Sequence, residues 1–177
     1  MGGSLTEQEI KDILNIFPKQ KLKYFIETGT YLGTTTRLAS TIFDYVYTME
    51  IVQQLYDESR AYGGDNITYL LGDTIKLLPT IIPKIDAPAM WFLDSHQSGP
   101  ETSNNGKWVP LLDELNIILS SYKYPSIYII DDLRLFSKHW DWADVSIESI
   151  LDCFKKNGKE IAVNYSNNDR YIIITKN

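Results

Sequence analysis

The sequence predicts a three-layer α/β fold built on a mostly parallel seven-stranded sheet that closes with a C-terminal antiparallel hairpin. Three observations predict it. Short apolar runs alternate with helical stretches along most of the 177 residues, and strands apolar on both faces imply βαβ units with helices on both sides of a sheet. A glycine-bearing turn, Glu27-Thr-Gly29-Thr-Tyr-Leu-Gly33, opens directly out of the first apolar run. The last two runs flank Ser166-Asn-Asn-Asp169, a turn-forming cluster, where a helix would otherwise stand.

Taken in order, Thr6-x-x-Glu9 reads as a capping box that starts an amphipathic helix with Ile10, Ile13, Leu14 and Phe17 on one face. The parallel strands are Tyr24–Ile26, Tyr45–Met49, Ile67–Leu71, Ala89–Leu93 and Ser126–Ile130. Helical segments lie between them near Thr34–Ser40, Ile51–Tyr62, Thr74–Ile82 and Pro110–Ser121. A further helix, Val145–Asn157, stops at Gly158, and Glu160–Tyr165 with Arg170–Thr175 form the hairpin. The longest stretch without a period is about Ser95–Val109, a length that is usually functional or disordered.

Composition narrows the function. Hydrophobic content of 44% and charged content of 23% are those of a soluble globular domain with a sizeable core. A net charge of −6 argues against nucleic acid or an anionic membrane surface as the main partner. The single cysteine, Cys153, excludes an internal disulfide, and no Cys/His cluster suggests zinc. No signal peptide and no apolar run near the ~20 residues of a membrane span is visible, so a cytoplasmic location is expected.

The glycine turn departs from a dinucleotide fingerprint in two ways. Tyr31 stands where the second glycine would let a pyrophosphate approach the backbone, and Glu27 would repel phosphate but attract a cation. No Gly-Lys-Ser/Thr follows, which excludes a P-loop. S-adenosylmethionine, which carries an ammonium and a sulfonium and no phosphate, fits both departures. Thr28, Gly29, Thr30, Gly33 and Thr34 are then expected to line it with Glu27. Glu50, at the end of the second strand, is placed to accept from ribose hydroxyls, or else caps the next helix. Asp73, after the third strand, is an N-cap, a partner for the adenine amino group, or both.

The fourth and fifth strands end in Trp91-Phe-Leu-Asp94-Ser-His96 and Ile127-Tyr-Ile-Ile-Asp131-Asp132. Neighbouring strands lie about 4.8 Å apart, so Asp94, Asp131 and Asp132 can converge on a hard cation such as Mg²⁺, Ca²⁺ or Mn²⁺. The pleat sends Asp131 and Asp132 to opposite faces, so both can bind only if the chain turns there. The plainer alternative is that they are acidic caps and turn residues. His96 is a candidate general base for an acceptor hydroxyl. Asp94 is expected to serve cofactor, metal and catalysis alike. Arg134 either pairs with the acidic cluster or binds an anionic acceptor. His139, beside Trp140 and Trp142, belongs to a loop that either closes over an acceptor or packs on the last helix. Ser98, Gly99, Glu101 and Thr102 are candidate acceptor contacts in the long loop.

These pieces, with Gly72-Asp73, Asp94-Ser-His-Gln-Ser-Gly99, Pro110-Leu-Leu-Asp-Glu-Leu115 and Asp131-Asp-Leu-Arg-Leu-Phe136, resemble class I S-adenosylmethionine-dependent methyltransferases over nearly the whole chain. The Asp-x-His…Ser-Gly and Asp-Asp-x-Arg-x-Phe segments look like a glycan-gene-associated group and are more distantly similar to the macrocin O-methyltransferase group. The resemblance implies a Rossmann-like methyltransferase fold in one domain, 1–177, with an N-terminal helix (1–20), a cofactor half (21–85) and an acceptor and metal half (86–177). It also implies Mg²⁺ held by Asp94, Asp131 and Asp132. The acceptor it implies is a small hydroxylated molecule such as a sugar or nucleotide sugar, and a homodimer is the assembly to test for. The competing readings are a non-catalytic S-adenosylmethionine-binding or partner-binding module, and a nicotinamide-dependent oxidoreductase, which Tyr31 and the hairpin disfavour.

Overall fold

The computed structural model describes residues 3–17, 21–96 and 108–176. Helix α1 (Glu7–Ile16) begins at Thr6, whose hydroxyl accepts from the Glu9 backbone N–H while the Glu9 carboxylate accepts from the Thr6 N–H. This reciprocal cap satisfies two amides that the helix itself leaves open. There follow β1 (Tyr24–Thr28), α2 (Thr34–Ser40), β2 (Tyr45–Glu50), α3 (Gln53–Arg60), β3 (Ile67–Leu71), α4 (Thr74–Ile81) and β4 (Ala89–Leu93). The second half contains α5 (Leu111–Ser121), β5 (Ile127–Ile130), α6 (Ile147–Lys156), β6 (Ile161–Asn167) and β7 (Arg170–Thr175).

The sheet runs β3-β2-β1-β4-β5-β7-β6. The first five strands pair in parallel, and β7 pairs antiparallel with both β5 and β6, so the expected closing hairpin is present. Strand order reverses between β1 and β4. That adjacency makes a crevice at the carboxyl ends of these strands, the place where open α/β sheets bind ligands.

The pleat divides the core into two layers. Tyr24, Ile26, Trp91, Leu93, Tyr128 and Ile130 pack on one face with α4, α5 and α6, and Phe25, Met90, Phe92, Ile127 and Ile129 pack on the other with α1 and α2. Parity then assigns the strand-end side chains. Thr28 continues the face of Ile26, Glu27 the face of Phe25, and Asp131 the face of Ile129. No helix among the described residues is long and apolar enough to cross a membrane.

Candidate functional site

The β1–α2 turn is held by its own backbone. Gly29 (φ 86°) and Gly33 (φ 70°) are left-handed, as is Tyr31 (φ 49°). A Cβ on Gly29 would stand 2.6 Å from the Asp94 carbonyl oxygen, so this glycine also lets β1 and β4 approach at the switch point. Gly33 is the N-cap of α2 and offers that helix no side-chain cap. Thr30 is buried and shares a 2.6 Å hydrogen bond with Thr48, while Thr34 is exposed at the start of α2.

Glu27 is buried against α2 and β2, where the hydroxyls of Thr36 and Thr48 both donate to its Oε2. Burial pushes its carboxyl up to about 7, against the pull of those two hydrogen bonds. Both donors use one oxygen, Oε2.

Glu50 clamps two loops. Its Oε2 accepts from the Tyr31 N–H at 2.8 Å, and its Oε1 accepts from the Ile51 and Val52 N–H groups at 2.9 Å each. A carboxylate offers about four acceptor sites; three are taken here, which leaves one. Glu50 thus ties the turn after β2 but does not cap α3, whose N-cap Val52 has no side-chain cap, and one acceptor site remains on its carboxylate. Asp73 caps α4, accepting from the Ile75 N–H at 3.1 Å.

On the acceptor side, Asp131 and Asp132 diverge. Asp131, on the α1 face, lies 3.4 Å from Arg170 Nε, and Arg170 in turn pairs with Glu9 of α1 at 2.7 Å. Burial pushes the Asp131 carboxyl up, and Arg170 partly offsets this. Asp132 turns left-handed (φ 59°), a conformation that Asp tolerates better than most residues. This is the turn that two adjacent ligands would have required, but it does not gather all three aspartates. The group within ligand distance is Asp94, His96 and Asp132, and Asp131 falls in a second group with Asp132 and Asp169. Among the described residues, the group that includes Asp94 is thus two carboxylates and an imidazole rather than the three carboxylates expected.

His96 Nε2 stands 2.9 Å from Asp132 Oδ2, and its Nδ1 stands 3.6 Å from Asp94 Oδ1. Burial would raise Asp132, but the hydrogen bond from His96 and the Arg134 guanidinium outweigh it and hold the carboxyl below its ordinary value. Asp94 is pushed well above the usual carboxylate range, first by burial and then by Asp131 and Asp132. Among the described residues no lysine or arginine forms an ion pair with Asp94.

Arg134 pairs with Asp132 and Asp169, so of its two alternatives the structure shows the pairing within the acidic cluster. His139 pairs with Asp141. The nearby Trp142 stacks on Phe136 at 5.5 Å and meets the His96 ring edge-on at 5.2 Å, so this loop reaches the site through an aromatic wall. Ser98, Gly99, Glu101 and Thr102 lie outside the described residues.

Sequence reasoning missed Glu114. Located on α5 and fully buried, it accepts hydrogen bonds from Thr28 at 3.2 Å, from Thr74 at 2.5 Å and from Ser95. Burial pushes its carboxyl up to about 7. The signal was present: Glu114 shares a helical stripe with the buried Leu111, Leu115 and Ile118, where a charge has no solvent. Glu114 also lines a small pocket with Leu93, Asp94, Ser95, His96, Val109 and Trp142.

Neither a family model nor a curated protein matches the chain. Solved structures do match its fold. The O-methyltransferase TomG of Streptomyces achromogenes, involved in tomaymycin synthesis and solved with S-adenosylmethionine, is similar with a TM-score of 0.65 at 13% identity, over 97% of this chain and 81% of TomG. An O-methyltransferase from Bacillus cereus in complex with S-adenosylhomocysteine gives 0.63 at 13% identity, over 98% and 83%. MycE, a methyltransferase of the mycinamycin pathway solved with Mg and S-adenosylhomocysteine, gives 0.66 at 13% identity; the match covers 95% of this chain but 48% of MycE. The chain has the Rossmann-like methyltransferase fold.

Proposed function

We propose that this protein is an S-adenosylmethionine-dependent methyltransferase that transfers a methyl group to a hydroxyl of a small acceptor such as a sugar, with help from a divalent cation. The observation that carries the reading is the convergence at the β1/β4 switch point. A phosphate-averse glycine turn, the acceptor site left on Glu50 and the Asp73 cap lie on one side, and Asp94, His96 and Asp132 lie on the other. Three methyltransferases of the same fold, two described as O-methyltransferases and all solved with S-adenosylmethionine or its product, support it.

The residues fit the cofactor by their chemistry. Glu27 Oε1 takes neither of the two hydroxyl donors and Glu50 keeps one acceptor site, the first suited to an ammonium and the second to a ribose hydroxyl. When bound, S-adenosylmethionine supplies an electrophilic methyl on a sulfonium. Fit to a divalent cation rests on Asp94, a carboxylate that burial, Asp131, Asp132 and Glu27 all penalise and that Arg170 relieves only in part. Asp94 and Asp132 would hold the cation with His96 beside them, and the cation would supply charge to polarise an acceptor hydroxyl. With His96 kept free as the base, the donors are carboxylate oxygens, which suit Mg²⁺ or Mn²⁺.

His96 has the geometry of a base. An ionised Asp132 only accepts, so the 2.9 Å contact places the ring proton on Nε2. In the neutral ring Nδ1 is then the nitrogen that can take a proton from an acceptor hydroxyl, and Asp132 stabilises the imidazolium that results. Trp142 fixes the ring plane from the side. A thermal-shift comparison of S-adenosylhomocysteine, NAD and buffer tests the cofactor reading, because a ligand of the native state raises stability. Stabilisation by NAD alone would overturn it. A screen of hydroxylated acceptors with radiolabelled methyl donor then tests the transfer.

A further inference from the structure

We propose that Glu114 is a positioning residue of the cofactor crevice: by gathering the hydroxyls of Thr28, Thr74 and Ser95, it sets the spacing of the chain segments between which the cofactor binds. The inference rests on the S-adenosylmethionine reading and adds to it a residue that makes no contact with the cofactor.

The three hydroxyls come from three parts of the crevice. Thr28 ends β1 and precedes Gly29; Thr74 opens α4 and follows Asp73; Ser95 stands between Asp94 and His96. Once ionised, above about pH 7, the carboxylate accepts only, so each hydroxyl then turns its hydrogen toward Glu114 and its lone pairs away. At Thr28 this has a visible result, because its Oγ1 accepts from the Asp94 backbone N–H at 3.3 Å. Orientation thus passes from α5 through Thr28 to the end of β4. No basic side chain pairs with Glu114 among the described residues, and burial, with a smaller push from Asp73, raises its carboxyl to about 7. A leucine would fill this position among Leu111, Leu115 and Ile118 without that desolvation, so packing does not account for the carboxylate.

Glu114→Gln tests the role at nearly constant volume. Its amide has one accepting end, and the NH₂ end faces a hydroxyl that must reverse. Wild type, Glu114→Gln, Thr74→Val and the double variant are titrated calorimetrically with S-adenosylhomocysteine, well below their unfolding temperatures. Glu114→Gln should bind about tenfold more weakly, Thr74→Val less so, and the double variant no worse than Glu114→Gln, since coupled residues are not additive. Binding by Glu114→Gln within about twofold of wild type, whatever its melting temperature, overturns the inference, as do additive losses. Should Glu114→Gln fail to fold, Thr74→Val and Ser95→Ala carry the test, each expected to weaken binding about threefold, and unchanged affinity in both overturns it. No binding by wild type would instead overturn the cofactor reading, and this inference with it.

Discussion

Replacing Glu27 by Gln should flatten the dependence of stability on pH. The Glu27 carboxyl is buried between β1, β2 and α2, and burial raises it from an ordinary value near 4.5 to about 7. The folded state therefore holds this proton more tightly than the unfolded chain does. The resulting stabilisation is complete below pH 4.5 and is lost as pH rises through 7, so the sign is the reverse of a salt-bridged carboxylate. The interval between the two values corresponds to about 3 kcal/mol lost between pH 4.5 and 7 on account of Glu27. Glu114, raised to the same level by the same cause, gives the wild type a second loss of this size. Glutamine can still accept from Thr36 and Thr48 and has no proton to lose in this range. Urea denaturation at pH 5 and pH 8 measures the effect: wild type should lose about 3 kcal/mol more than Glu27→Gln across that step. Parallel losses in the two proteins would show that Glu27 titrates as a hydrated carboxyl, and would refute the burial argument.

Glu50→Ala should weaken S-adenosylhomocysteine binding by about 1.5–3 kcal/mol, the worth of a hydrogen bond to a charged group, and calorimetry showing an unchanged Kd would remove Glu50 from the site. Gly29→Ala should lower stability by about 2 kcal/mol or more in thermal unfolding, because its left-handed φ and a Cβ 2.6 Å from the Asp94 carbonyl oxygen both oppose a side chain. A melt matching wild type would show that β1 and β4 can separate at no cost. Asp94→Asn should abolish methyl transfer, with wild-type activity falling in EDTA and returning with Mn²⁺ or Mg²⁺. Full activity in EDTA would refute the cation's role and leave His96 and Asp132 as the catalytic pair.

The order and type of the elements were legible in the sequence because they rest on local periodicity. Ile67–Leu71, Ala89–Leu93 and Thr34–Ser40 form at the boundaries that their apolar spacing predicts, and Thr6 and Glu9 make the expected capping box. The hairpin was equally legible, since Asn168 and Asp169 can make the reversal that β6 and β7 need. The acidic strand ends were visible for the same reason: parallel strands bring their carboxyl ends to one edge.

Which partner each acid meets there was decided only by tertiary structure. The sequence shows Asp131 and Asp132 as neighbours, but the pleat gives Asp131 to Arg170 on the α1 face, and a left-handed φ gives Asp132 to His96. Arg170 had no visible partner in sequence, since Asp131 follows β5, which meets Arg170's strand β7 only through antiparallel pairing. Glu114 and Thr28 are 86 positions apart and meet because α5 packs across the β1/β4 junction. Helical and strand periods report which face a residue occupies. They carry no information about which distant residue stands on the opposing face, and hydrogen bonds and pKa values at this site depend on that second fact.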